Sequence, residues 1–251
     1  MTKIILSGCS GKMGASIIAC TAARDDCTIA AGVDIVKPQN AEFEYAESFS
    51  ALSVDADVII DFSNPAVLDS MLAYALEKKV PCVICTTGYN DKQKEKIKAA
   101  SKEIPVFCSG NMSLGINLII ELAKKAAAVF GEDFDIEIVE QHHNQKLDAP
   151  SGTALMIADA VKEVRTESEY VYDRHAYRKK RDKKEIGIHS VRGGNIVGEH
   201  EIIFAGTDEV LTISHSARSK TVFAVGAVNA AVFLSGKAPG MYDMSHLLAS
   251  K

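Results

Sequence analysis

The start of the chain restricts its fold more than any other part. Lys3 to Ser7 (KIILS) is a short apolar run, Gly8-Cys9-Ser10-Gly11-Lys12-Met13-Gly14 follows, and Ala15 to Ala23 continues as an Ala- and Ile-rich stretch. A strand, a glycine turn and a helix in that order make the opening unit of a dinucleotide-binding fold. Small residues in the turn let backbone N–H groups approach a pyrophosphate, and the helix start adds positive potential. The spacing is G-x-x-G-x-x-G, with Ser10 where the commoner fingerprint has its second glycine. A strand of this kind is buried on both faces and needs parallel neighbours and covering helices.

The next part of the chain supplies them. Thr28 to Val33 (TIAAGV), Ala56 to Phe62 (ADVIIDF), Pro81 to Thr87 and Pro105 to Ser109 read as further strands. Pro65 to Lys79, with its proline suited to a first turn, and Asp91 to Lys102 read as helices between them. The alternation predicts a doubly wound parallel sheet in the α/β class. Asp34 closes the second strand about twenty residues after Gly14, where an acid hydrogen-bonds an adenosine ribose. An acid there repels a 2′-phosphate and Ile35 offers no cation, so the pattern favours NADH, while nearby Lys37 leaves NADPH open. Ligands of such sheets sit at the carboxyl ends of the strands. Phe62-Ser63, Thr86-Thr87 and Ser109-Gly110-Asn111-Met112 are three such ends, and spacing alone does not choose between them.

Composition sets the outer limits. With 251 residues, 47% of them hydrophobic, the chain is long enough for one large domain or two modest ones and too apolar for disorder. A net charge of -5 gives no general affinity for nucleic acid. No signal pattern precedes Lys3 and no apolar run approaches a membrane span, so a soluble cytoplasmic protein is expected. All six cysteines (Cys9, Cys20, Cys27, Cys82, Cys85, Cys108) lie in the first 108 residues without a small disulfide framework, which suits a reducing compartment. Cys82-Val83-Ile84-Cys85 spells C-x-x-C. Residues three apart on a strand face opposite sides, so these are expected to be core cysteines.

After Leu114 the pattern changes. Ile116 to Phe130 reads as a long helix, and Phe134 to Val139 (FDIEIV) alternates as a strand. That strand delivers His142, His143, Lys146 and Asp148 into a segment with no core to fill. Pro150-Ser151-Gly152-Thr153 then starts a helix running towards Val164, with Ser or Thr as cap. A helix start suits a carboxylate or phosphate. His142 or His143 exchanges protons near neutral pH, and Lys146 is a cation that also acts as an acid. A lone histidine after a strand is more often structural, but this cluster is denser in polar groups than packing requires. It predicts a site that binds an acidic small molecule and protonates it. A metal held by His142, His143 and Asp148 is disfavoured because adjacent strand residues point apart. No metal is expected.

Glu167 to Lys184 is polar and contains Arg178-Lys179-Lys180-Arg181 and Lys183-Lys184. Without interleaved aromatics beyond Tyr177, it reads as a solvated loop that adds positive field around an anionic substrate. Glu185 to Val191, Ile196 to Ala205 and Val210 to Ala217 read as antiparallel strands, the first two separated by Gly193-Gly194. With the Phe134 strand they build a second, mainly open sheet. Lys220 to Ser235 reads as an apolar helix before a short tail.

EQHHNQKLDAPSGTA (residues 140–154) and IGIHSVRGGNIVGEHEIIFAG (residues 186–206) resemble the dihydrodipicolinate reductase family, and the likeness runs nearly end to end. The resemblance implies a Rossmann-like domain over 1–110, completed by 218–251, and an inserted α+β substrate and oligomerisation domain with an open mixed sheet over 111–217. It implies reduction of 4-hydroxy-tetrahydrodipicolinate to tetrahydrodipicolinate with loss of water, hydride going to ring C4 and a proton to C3. In it His142 is the catalytic donor/acceptor and Lys146 the proton donor. His143 contacts the small dicarboxylate substrate, while Ser151, Gly152 and Thr153 hold a carboxylate at the helix start. The glycine-loop contacts carry onto Gly8, Cys9, Ser10, Gly11, Lys12 and Met13, and the ribose contact onto Asp34. The nicotinamide half falls to Cys85, Thr86 and Thr87 and to Ser109, Gly110, Asn111 and Met112, in a cleft facing the His-His-Lys cluster. Lys220, with Arg218 nearby, matches a basic C-terminal residue. Relatives that favour NADPH often carry an arginine after the acid, and Ile35 departs from this. The family assembles as a homotetramer. Related aspartate or homoserine dehydrogenases lack this substrate motif, and a nucleotide-sensing regulator without turnover predicts a degraded cluster, whereas His142 and Lys146 are present.

Overall fold

A computed structural model describes residues 1–38, 41–176 and 178–250, so Tyr177 of the basic run lies outside the described residues. Met1–Ser113 and Thr221–Lys251 form one unit and Leu114–Lys220 a second. In the first, the apolar runs become parallel strands β1 (Thr2–Ser7), β2 (Cys27–Val33), β3 (Glu44–Ala46), β4 (Val58–Asp61), β5 (Cys82–Ile84) and β6 (Pro105–Cys108). Helices α1 (Lys12–Ala22), α2 (Leu68–Lys78) and α3 (Asp91–Ala100) connect them. Every residue of β4 and β5 is buried, as strands covered on both faces require. Burying each Ile or Leu side chain contributes about 1.5–3 kcal/mol, and Ile5, Ile59, Leu68 and Met71 are fully inside.

Helix ends follow local chemistry. Asn90 caps α3 and exchanges hydrogen bonds with Gln93 as a capping box. The expected Pro65 helix starts as a 3-10 turn, Pro65–Val67, under an Asn64 cap, and α2 ends at Lys79 in the left-handed conformation. The expected fourth strand is shorter than its apolar run. Cys85 lies past β5 and is partly exposed, so of the C-x-x-C pair only Cys82 is a core residue, and both are free thiols.

The second unit packs α4 (Leu114–Phe130) and α5 (Gly152–Val164) on one face of a five-stranded sheet. Its strands are β7 (Asp135–His142), β8 (Glu169–Val171), β9 (Glu185–Arg192), β10 (Gly198–Ala205) and β11 (Val210–Ala217), in the order β11-β10-β7-β9-β8. Ile136, Ile138, Ile186, Ile188, Ile202 and Phe204 meet Ile116, Ile120, Ile157 and Val161 in its core. β9 and β10 run antiparallel, as expected, with β7 between them, parallel to β9 and antiparallel to β10. The basic run is less free than expected. Arg181 bridges Asp135 and Glu137 at 2.8 Å each, Arg174 and Lys179 pair with Glu185, and Lys184 pairs with Glu167.

The chain then returns to the first unit through α6 (Thr221–Leu234), β12 (Gly240–Tyr242) and α7 (Met244–Ala249). β12 adds a parallel seventh strand beside β6, giving the order β12-β6-β5-β4-β1-β2-β3. The tail therefore completes the nucleotide-type sheet. Among the described residues no helix is long and apolar enough to cross a membrane.

Candidate active site

At the end of β1 the chain turns at Gly8 with φ +80°. The left-handed backbone disfavours any side chain, and a Cβ would lie 2.4 Å from the Phe62 carbonyl oxygen. Gly14 is closed in the same way by the Gly8 carbonyl, also at 2.4 Å. Asp34 ties the turn to β2. Its carboxylate accepts from the Ser10 N–H at 2.9 Å and the Ile35 N–H at 2.8 Å, while the Ser10 hydroxyl donates to the Val36 carbonyl. Gly11 caps α1 without a side-chain bond and no acid lies in the first turn, so the helix start keeps its positive potential. Lys12 is exposed and Met13 half-buried. Cys9 is buried, leaving only its backbone to meet a ligand, and burial raises its thiol pKa.

A pocket of about 370 Å³ opens at this turn. Gly8, Gly11, Asp34 and Ile35 line it, joined by Glu47 and Ser48 after β3 and by Phe62, Ser63 and Asn64 after β4. A second pocket of the same unit, about 520 Å³, gathers Thr86, Ser109 and Gly110 with Tyr89, Lys94 and Met241. Buried Asp61 links the strand ends above it, accepting from the Ser63 hydroxyl at 2.5 Å and the Tyr89 hydroxyl at 3.2 Å. The Ser63 N–H donates to Thr86 Oγ1 at 2.9 Å. Thr87 is exposed, Asn111 turns back to Ser113, and Cys85 donates its N–H to the Asp61 carbonyl. Met112 is buried with its carbonyl against Gly226. Of the expected cofactor residues, Gly8, Gly11 and Asp34 line the first pocket and Thr86, Ser109 and Gly110 the second, while Cys9 and Met112 offer no exposed side chain.

The second unit holds the acid–base cluster. β7 buries Ile136, Ile138, Glu140 and His142 on one face by strict alternation. His142 was expected past the strand in a segment with no core, yet it is only 8% exposed, because pairing continues to His142↔Arg192. Glu140 is fully buried. Its Oε2 lies 2.5 Å from His142 Nδ1 and accepts from Arg192 Nη1 at 2.8 Å. Oε1 accepts from Arg192 Nη2 at 2.7 Å and the Ser151 N–H at 3.0 Å. Burial pushes the Glu140 pKa up, but bonds from Arg192, His142, Ser190 and Ser151 outweigh it and hold the group at about 2.

Ser151 caps α5, its hydroxyl accepting from the Ala154 N–H at 3.1 Å and lying 3.2 Å from His200 Nε2. The His200 ring stands edge-on to that of His142, centroids 5.3 Å apart. Burial first, then His142, pushes the His200 pKa down to about 4, so it is neutral at pH 7. Lys146 follows in the loop and pairs with Asp148 at 2.9 Å. Asp148 is held below the usual carboxylate range by Lys146 first, with the Gly152 N–H contributing. The structure therefore joins His142 to Ser151 through Glu140, and Lys146 to Gly152 through Asp148. His143 and Thr153 are half-buried beside them, while Arg218 and Lys220 lie exposed between β11 and α6. Among the described residues no group of three His, Cys, Asp or Glu is placed to hold a metal.

Comparison with known proteins agrees with both halves. The model described as Dihydrodipicolinate reductase, N-terminus, matches residues 2–112, and Dihydrodipicolinate reductase, C-terminus, matches residues 115–248. The chain belongs to the dihydrodipicolinate reductase family. The 4-hydroxy-tetrahydrodipicolinate reductase of Clostridium tetani is 49% identical over 251 residues, 100% of this chain and 98% of that protein. That of Clostridium novyi is 47% identical over 252 residues, covering 100% of both. A dipicolinate-bound dihydrodipicolinate reductase from Paenisporosarcina sp. TG-14 has the same fold, with a TM-score of 0.81, 25% identity and 97% of each chain covered.

Within this dihydrodipicolinate reductase fold, sequence reading missed Glu140, Arg192 and His200 as parts of the site. A signal existed for Glu140, two residues before His142 on an alternating strand and so on the same face. Arg192 and His200 reach the cluster only through the pairing of β9 and β10 with β7.

Proposed function

We propose that the protein reduces 4-hydroxy-tetrahydrodipicolinate to tetrahydrodipicolinate, with loss of water, in lysine and diaminopimelate biosynthesis. The observation that carries this is the complete acid–base cluster of the second unit in a chain matched end to end by the reductase family. The cofactor is NADH by preference, with NADPH as the alternative. The glycine turn and Asp34 fit it: Gly8 and Gly14 leave no room for a Cβ, and Asp34 places a carboxylate at the end of β2. When bound, the nicotinamide supplies a hydride to ring C4.

The protein's own groups do the rest. A substrate carboxylate takes the backbone N–H groups of Gly152 and Thr153, displacing the Asp148 carboxylate that now sits at Gly152. Lys146, freed from Asp148, gives its proton to C3 of the enamine. His142 exchanges protons at the same ring, and His143 contacts the substrate. We place the enzyme in the cytoplasm as a homotetramer assembled through the second unit's open sheet, whose β11 exposes Val210 and Leu211.

The test is cofactor oxidation by the purified protein with freshly generated substrate, NADH and NADPH run in parallel. Faster oxidation of NADH supports the whole reading. Oxidation of NADPH alone removes the cofactor preference. If neither is oxidised although one binds, the nucleotide-sensing alternative replaces the enzyme.

A further inference from the structure

Resting on that function, we propose that Glu140, clamped by Arg192, is a positioning residue for the reaction. It fixes His142 as the Nδ1-protonated tautomer, offers Nε2 to the reacting group, and pins Ser151 at the head of the substrate-carboxylate cradle. An ionised carboxylate can only accept hydrogen bonds, so at 2.5 Å from Glu140 Oε2 the His142 Nδ1 must be the donor. The carboxylate cannot rotate away. Each of its oxygens also accepts from Arg192, and Oε1 holds the Ser151 N–H. The same guanidinium donates to the Asp148 carbonyl at 2.7 Å, so the loop bearing Lys146 hangs from the same clamp.

The opposite edge of the ring is bounded too. A Cβ on Gly198 of β10 would lie 3.1 Å from His142 Nε2 and 3.5 Å from Cδ2, so residue 198 leaves that nitrogen its space by having no side chain. The charged and titratable groups around His142 are Glu140 on its own strand, Arg192 from β9 and His200 from β10, with Ser151 from α5 as a polar neighbour. Lys146 and His215 of β11 act on His200 from further off.

The experiment compares Glu140→Gln, His142→Gln and their double variant by kcat and KM, with ¹⁵N-histidine NMR of the wild-type protein. A Gln amide donates towards Nδ1 and inverts the tautomer. Glu140→Gln is expected to lower kcat by roughly 10²-fold or more and to change substrate KM less. The double variant should be no worse than His142→Gln alone. NMR should show His142 protonated at Nδ1. Gly198→Ala presses on Nε2 without touching charge, and should also lower kcat. Should Glu140→Gln fail to fold, Arg192→Lys, which keeps the charge and loses the fork, is read for the same direction of change.

Wild-type turnover in Glu140→Gln, or an Nε2-protonated His142, overturns the proposal. An active His142→Gln overturns instead the role of His142 in the proposed function. An impaired His142→Gln beside an unimpaired Glu140→Gln leaves that role standing and removes only the positioning.

Discussion

The glycine turn of the first unit and the Glu140 cluster of the second are both proposed to receive charged ligands, and they are built from opposite materials. The turn is mostly backbone. Gly8 and Gly14 matter for the atoms they lack, and the binding groups are amides and a helix start. The Glu140 cluster is mostly side chains. A buried carboxylate, a guanidinium, two imidazoles and a hydroxyl are brought together from β7, β9, β10 and the head of α5. A backbone site fails when something is added to it, and a side-chain site fails when a charge is removed.

The sharpest separation comes from chemistry. Lys146→Met removes the proposed proton donor and is expected to cut turnover by roughly 10²–10⁴-fold, while NADH affinity in a direct titration stays at the wild-type value. Near-full turnover would take Lys146 out of the reaction. Gly8→Val is the mirror case. A left-handed non-glycine residue costs about 1–3 kcal/mol by itself, and here the Cβ also meets backbone at 2.4 Å. NADH binding is expected to be lost and the urea midpoint to fall. Wild-type affinity in this variant would break the backbone account of the first site.

Protonation should distinguish the regions next. The folded pKa of His200 is about 4, below its ordinary 6.5, so the unfolded chain takes up a proton that the folded chain resists. Stability is then full above about pH 6.5 and falls as pH drops towards 4, by on the order of 3 kcal/mol. Glu140, at about 2 against an ordinary 4.5, holds its contribution above that ordinary value and loses it as pH falls towards 2. Urea midpoints followed by circular dichroism against pH should therefore decline in two windows. His200→Gln should flatten the upper window alone. A decline unchanged in that variant would remove His200 as its source.

The same difference in material decides what was legible. The glycine turn, Asp34 and the alternating strands are local patterns, and they predicted a nucleotide sheet whose order the structure shows. The string from His142 to Thr153 is local too and named its own residues. What escaped reading depends on pairing between distant segments. The alternation of FDIEIV marks a strand only to Val139, yet Glu140 and His142 are strand residues too, and the burial of Glu140 is compensated by Arg192, over fifty positions away. The placing of β7 between β9 and β10 is likewise invisible to local patterns, since the two strands follow each other directly across Gly193-Gly194. β3 and β12 are three-residue strands at sheet edges, too short for any period to show.

The smallest effect tests the first site at its rim. Ile35 is 85% exposed and lines the pocket beside Asp34. Ile35→Arg should leave stability within about 0.5 kcal/mol, since it replaces an exposed apolar side chain without touching a buried bond. It should improve NADPH affinity by about tenfold, because a guanidinium next to the acid meets a 2′-phosphate that Asp34 alone repels. NADH affinity should hardly move, as the ribose contact proposed for Asp34 is left untouched and its bond to the Ser10 N–H remains. Parallel titrations with the two cofactors measure the ratio. An unchanged ratio would mean that the phosphate end of the cofactor does not reach this rim, and that the preference must be sought at Lys37 or at Ser48 across the pocket.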